Sequence, residues 1–111
     1  MNKTCPPELE ELLKTIYSLS PQETEILSLL CEEDLRVKEI AERTDKDRST
    51  VQRYISTLRS AGLVSRRSEN NKKGKGRHFV YYIQDKDRLK RKIINRLEEW
   101  KREKMEILED L

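Results

Sequence analysis

The sequence predicts a mainly α fold that carries one small β-hairpin and ends in a long helix. Three observations lead there. Apolar residues recur at helical spacing in four segments between Leu9 and Leu58, and two β-favouring runs, Leu63 to Arg67 and His78 to Ile83, flank a polar stretch holding Gly74 and Gly76. From Asp85 onward neither Gly nor Pro interrupts a further helical pattern. With 111 residues, 41% of them charged and 34% hydrophobic, the chain has room for one domain with a modest core. The charged share is far above the roughly one quarter of ordinary soluble domains. No apolar run approaches the about 18 to 20 residues of a membrane span, and Glu8, Glu10 and Glu11 after Pro6-Pro7 make the start too acidic for a secretion signal. A soluble, cytoplasmic chain with no membrane partner is therefore expected. Cys5 and Cys31, 26 positions apart, and the single His78 exclude a disulfide framework or a Cys/His zinc set from one chain. Both cysteines are expected as reduced thiols, and no metal or cofactor is expected.

In chain order, Leu9, Leu12, Leu13, Ile16 and Leu19 define a first helix over about 8–19, entered through Pro6-Pro7. Ser20-Pro21-Gln22-Glu23 is a start signal for a second: Ser20 and Glu23 have the spacing of a reciprocal capping box, and Pro21 suits the first helical position. Ile26, Leu27, Leu29 and Leu30 give it a buried face, and Glu32-Glu33-Asp34 ends it. Leu35-Arg36-Val37 has the length of one short strand. Ile40 and Ala41 sit in a third, short helix over 38–44. Asp47 then reads as the N-cap of a fourth helix, 48–61, accepting from the open amides of Ser49 or Thr50, and Gly62 closes it in the left-handed conformation. Within it Val51, Ile55 and Leu58 form an apolar face opposite Ser49, Gln52, Arg53 and Ser56. The hairpin follows, joined by a basic tip over 68–77, and a helix over 86–111 would be about 39 Å long at 1.5 Å per residue. That is too long to lie wholly on so small a domain.

This order of elements is the layout of a winged helix-turn-helix followed by a long C-terminal helix, dividing the chain into 1–84 and 85–111. The charge follows the division. The net of +3 conceals −6 over residues 1–34, +3 over 35–65, +5 over 66–77 and +1 over 85–111. A localised basic stretch is what a phosphate backbone attracts. A helix fits the major groove, and the exposed face of the fourth helix offers Arg48, Ser49, Thr50, Gln52, Arg53 and Ser56 for reading base edges. The hairpin tip offers Lys72, Lys73, Lys75 and Arg77, with Arg66 beside it, for phosphate or minor-groove contact. Double-stranded DNA is the partner this pattern implies. An RNA-stacking surface would need several exposed aromatics, and the chain has one Phe, one Trp and four Tyr.

The segments Ser20-Pro21 through Leu30, Val37-Lys38-Glu39-Ile40-Ala41-Glu42-Arg43-Thr44, Arg48-Ser49-Thr50-Val51 through Leu58, Gly62-Leu63-Val64 and Gly76-Arg77 resemble archaeal TrmB-type transcriptional regulators and, more distantly, MarR and ArsR winged-helix regulators. The resemblance covers about residues 18–84 and implies that the helix matching Arg48 to Ala61 enters the major groove. Sugar sensing is not among what the resemblance implies here, since the 111 residues stop short of the sugar-binding domain of longer TrmB-type proteins, and metal sensing is not expected because closely spaced Cys/His pairs are missing.

In the last helix Ile93, Leu97, Trp100, Ile107 and Leu111 recur at spacings of a two-helix seam, interrupted by Lys104, and this predicts a homodimer. The competing reading packs that helix back on its own domain. The expected function is a sequence-specific DNA-binding transcriptional regulator, not an enzyme, since the sequence offers no Ser/His/Asp set, no Gly-rich phosphate loop and no carboxylate pair in an expected cleft. The alternative is a winged-helix protein-interaction module of a transcription or repair assembly.

Overall fold

The computed structural model describes residues 6–72 and 74–111. Five helices and one antiparallel hairpin follow in the order α1 (Pro7–Tyr17), α2 (Pro21–Glu32), α3 (Val37–Thr44), α4 (Arg48–Ser60), β1 (Ser65–Asn70), β2 (Arg77–Tyr82) and α5 (Lys86–Glu109).

The helix boundaries are set by caps that the local sequence supplies. At the start of α2 the Glu23 amide donates to Ser20 Oγ (3.2 Å) and the Ser20 amide donates to Glu23 Oε1 (2.8 Å), so two open amides of the first turn are satisfied reciprocally. The α4 start uses Asp47, whose Oδ1 accepts from the Thr50 amide at 2.8 Å. Beyond its last turn Gly62 adopts φ +78°, as expected of a helix terminator. The first helix stops two residues earlier than its apolar spacing predicts, because Ser18 turns to φ 57°. Leu19 is nevertheless buried, packing from the turn instead of from the helix. The open end of α1 finds a partner on α5: Arg96 Nε donates to the Ile16 carbonyl at 2.7 Å.

One core joins α1 to α4, the base of the hairpin and the first half of α5. Leu13 and Ile16, Ile26, Leu27 and Leu30, Ile40 and Ala41, and Val51, Ile55 and Leu58 are its helical contributions. Val51, Ile55 and Leu58 have no exposed surface at all. Burial of each stabilises the fold by about 1.5 to 3 kcal/mol before entropic costs, and it fixes which side of α4 remains outside.

Two strand expectations shift. Leu63 and Val64 are buried core residues but precede β1, which begins at Ser65 and runs to Asn70, so the strands pair from Ser65↔Tyr82 to Asn70↔Arg77 and the tip is shorter than the ten residues expected. Leu35 forms a single antiparallel bridge with Tyr81 in place of a short strand, its amide and carbonyl both bonded to Tyr81 (3.0 and 2.8 Å). Tyr81 is buried and Tyr82 lies under Arg67, the alternation a strand dictates.

The last helix divides between core and overhang. Ile93 is buried and Leu89 and Trp100 pack against the same core, whereas every residue from 101 to 111 is exposed. The molecule is consequently elongated, 61 × 28 × 24 Å. The cysteine expectation is corrected. Cys31, at the end of α2, is disulfide-bonded and not the reduced thiol expected. Cys5 lies outside the described residues. No helix among the described residues is long and apolar enough to cross a membrane.

Candidate nucleic-acid interface

The exposed side of α4 follows from its buried side. With Val51, Ile55 and Leu58 committed inward, Arg48, Ser49, Gln52, Arg53 and Ser56 face solvent and Thr50 is half-buried. The first turn is held by Asp47. Hydrogen bonds from Thr50, side chain and amide, keep its carboxyl below the usual carboxylate range, aided by Ser49 Oγ at 3.2 Å and by the charge of Arg53. Gln52 is steadied from the hairpin, its Nε2 donating to the Tyr81 hydroxyl at 3.3 Å.

The hairpin tip is organised around Asn71. Its amide donates to the Gly76 carbonyl (3.1 Å), its Nδ2 to the Lys75 carbonyl (2.6 Å), and its Oδ1 lies 2.6 Å from His78 Nδ1, a pairing that assigns the ring proton to that nitrogen. Gly76 sits at φ +75° with space for a Cβ limited by Asn71 Nδ2 at 3.2 Å, so the turn needs its glycine. Arg77 spends its donors inside the hairpin, on Ser68 Oγ (2.7 Å), Asn70 Oδ1 (2.8 Å) and the Ser68 carbonyl (3.4 Å). Its role in this geometry is to brace the strands that present the tip. Lys72 and Lys75 are exposed, and Lys73 lies outside the described residues.

Ion pairs sort the cations. Arg43 pairs with Glu33, Lys46 with Glu25 (3.4 Å), and Arg67 with Asp34 (2.9 Å) and Glu69 (2.6 Å), which hold its guanidinium above its ordinary range. Acidic side chains of the first third thus neutralise the basic residues nearest to them. Among the described residues no carboxylate lies within 4.0 Å of the cationic atoms of Lys38, Arg48, Arg53, Arg66, Lys72, Lys75 or Arg77. Lys38, Arg48 and Arg66 come together at one cleft, and sequence reasoning missed Lys38. Between the start of α3, the start of α4 and the hairpin lies a cleft of about 450 Å³, lined by Arg36, Lys38, Arg48, Gln52, Arg66 and Phe79 among others. Arg66 stacks on the Phe79 ring, 3.9 Å from its centroid, and Phe79 remains 43% exposed. Lys38, and Arg36, which pairs with Glu39 at 3.5 Å, carry no local signal that separates them from any solvated charge; the packing of α3 beside the hairpin brings them here.

A helix with a polar, cationic outer face, preceded by a short helix across a tight turn and followed by a braced basic hairpin, defines a winged helix-turn-helix. Residues 20–66 match the family model described as bacterial regulatory protein, arsR family. Two relatives in Methanocaldococcus jannaschii, the uncharacterized proteins MJ1503 and MJ1082, are 33% and 36% identical to the chain; the alignments cover 82% and 83% of it and 69% and 76% of those proteins. The chain belongs to the same family as these two, and the match over residues 20–66 is a similarity to ArsR-type regulators, the more distant of the likenesses that its motifs suggest. Solved structures share the fold. A possible transcriptional regulator from Methanosarcina mazei Go1 superposes with a TM-score of 0.74 at 19% identity over 91% of this chain and 86% of that one. The transcriptional regulator BldR from Sulfolobus solfataricus gives 0.54 at 21% identity over 94% and 71%. The fold is the winged helix shared with these solved structures.

Proposed function

We propose that the chain is a sequence-specific double-stranded DNA-binding regulator of the TrmB-like kind, acting in the cytoplasm, with α4 in the major groove and the hairpin on the adjacent backbone or minor groove. Residues 1–84 are the DNA-binding unit, and 85–111 join two copies. One observation supports this reading: Arg48 and Arg53 on the exposed side of α4 and Arg66, Lys72 and Lys75 on the hairpin have no carboxylate within 4.0 Å among the described residues, whereas Arg36, Arg43, Lys46 and Arg67 are paired within the chain. Arg48, Gln52 and Arg53, with Ser49, Thr50 and Ser56, read base edges. Arg66, Lys72, Lys73 and Lys75 contact phosphate, and Arg77 holds the hairpin in register for them.

The test is fluorescence anisotropy on a site selected from random DNA and on an unrelated duplex. Arg53→Ala should cost about 1 to 3 kcal/mol on the selected site if it makes a bidentate base contact, with a much smaller loss on the unrelated duplex. Equal losses on both would make Arg53 a phosphate contact. Absence of binding to any duplex at low salt would favour the protein-interaction module instead.

A further inference from the structure

One side chain of the hairpin reaches the outer face of α4. Tyr81, on β2, is 1% exposed, and its backbone is held by Leu35, which donates to its carbonyl at 3.0 Å and accepts from its amide at 2.8 Å. Its ring packs 6.5 Å from that of Phe79. Strand and ring are thus both fixed, and the phenolic oxygen accepts from Gln52 Nε2 at 3.3 Å. A buried hydroxyl without a partner is destabilising, so this bond is made before any ligand arrives. Gln52 itself is exposed, one turn along α4 from Arg48. Its amide therefore meets Tyr81 on one side and solvent on the other, at the cleft that Lys38, Arg48 and Arg66 also line.

The tether decides what the amide still has to offer. A glutamine side chain carries two N–H donors and one carbonyl acceptor. With one N–H committed to Tyr81, one N–H and Oε1 are left for a base. In the major groove adenine presents one acceptor, N7, beside one donor, its N6 amino group, whereas guanine presents two acceptors, N7 and O6. The free pair on Gln52 complements the adenine edge. Against guanine it satisfies one acceptor and sets Oε1 against the other, which is repulsive. An untethered glutamine could rotate its amide to suit either base; the Tyr81 hydroxyl removes that freedom.

We infer that Gln52 reads an adenine and that Tyr81 is the positioning residue behind this choice, holding one N–H of the amide and so fixing which edge meets the base. This rests on the DNA-binding reading above and adds the identity of one base and the residue that sets it. The hairpin then takes part in base reading as well as in backbone contact, because the strand that carries Tyr81 is the one whose Arg77 braces the tip.

The test begins with sites enriched from random DNA by the full chain and by its Gln52→Ala variant, which locates the base pair whose preference depends on Gln52. Adenine is expected there, favoured over guanine by about 5- to 150-fold, the range of one good bidentate contact. Guanine at that position, or no position that depends on Gln52, would overturn the inference. Anisotropy then follows duplexes in which that adenine is replaced by 7-deazaadenine, without the N7 acceptor, or by purine, without the N6 amino group. Both should weaken binding of the unsubstituted chain and leave Gln52→Ala unaffected; indifference of the unsubstituted chain would equally overturn it, and no Tyr81 variant is needed for this arm. Tyr81→Phe removes the hydroxyl alone. With helicity unchanged it should lower the adenine-over-guanine ratio about threefold or more at that one position, leaving other positions and the salt slope as they were. A purely structural Tyr81 would move every position together or none, and either result would overturn its positioning role. In the Gln52→Ala background Tyr81→Phe should leave the ratio unchanged, whereas an additive loss would overturn the coupling. Absence of binding to every duplex at low salt would overturn the DNA-binding reading and this inference with it, while binding without an adenine preference would overturn the inference alone.

Discussion

Asp47 and Gly62 mark the two ends of α4, and each is a single residue on which the presentation of the recognition surface depends. The Asp47 carboxylate is the form that caps the helix, and its pKa is lowered in the fold by the Thr50 bonds. The stabilisation is therefore complete above the ordinary value of 3.8 and is lost as pH falls through the lower folded value. Asp47→Asn should lessen the acid dependence of stability below about pH 4, measured as the difference between the two proteins' urea midpoints across pH 2 to 6; parallel curves would dissociate the cap from Asp47's charge. At the other end, Gly62 sits at φ +78°, and a Cβ there would stand 2.9 Å from Lys92 Nζ. The lysine end is flexible, so the backbone angle dominates, and Gly62→Ala should cost about 1 to 2 kcal/mol in urea unfolding. A neutral result would mean the turn relaxes to negative φ. Both residues are legible in the sequence because caps and left-handed turns are local chemistry. Arg77 is different: its three bonds back to Ser68 and Asn70 depend on strand register, which no spacing reveals.

At the scale of elements, the hairpin separates what bears charge from what positions it. Lys72 and Lys75 are exposed at the tip, and the Asn71 bonds to Lys75, Gly76 and His78 hold the turn that carries them. Replacing both lysines by Ala should weaken binding on all duplexes alike and reduce the slope of log K against log salt by about 1 for each phosphate no longer neutralised. An unchanged slope would remove the tip from the DNA surface. The four helices and the hairpin are readable from periodicity because each buries one face: Val51, Ile55 and Leu58 declare both the core and, by exclusion, the outer face of α4. The strand limits are less readable. Leu63 and Val64 look like strand yet fill the core from a turn, and β1 itself is Ser-Arg-Arg-Ser-Glu-Asn, held by pairing with β2 and not by its own apolar residues. The seam of α5 shows the same limit. Helical spacing groups Ile93 and Trp100 with Leu97, but the core takes the first two, and the free strip turns toward Ile94, Met105 and Leu108.

For the whole molecule, shape and symmetry constrain the DNA that two copies would engage. Each chain is 61 Å long because α5 projects beyond the domain, and in the proposed dimer the two α5 helices would join the DNA-binding units. Each unit presents one α4, so a two-fold axis between them demands inverted half-sites. On one face of a duplex successive major grooves recur every 34 to 36 Å, about 10 to 10.5 base pairs, so half-site centres should stand one such repeat or an integral multiple apart, the multiple fixed by the dimer's span. Sites enriched from random DNA by the full chain should therefore be pseudo-palindromic. Inserting 5 base pairs between the half-sites, about half a turn, should reduce affinity toward that of one half-site, whereas inserting a full turn should restore only part of it. Enrichment of a single unrepeated motif bound by one chain would contradict the symmetry, and equal tolerance of every spacing would mean that the α5 pair does not hold the two units in fixed relation.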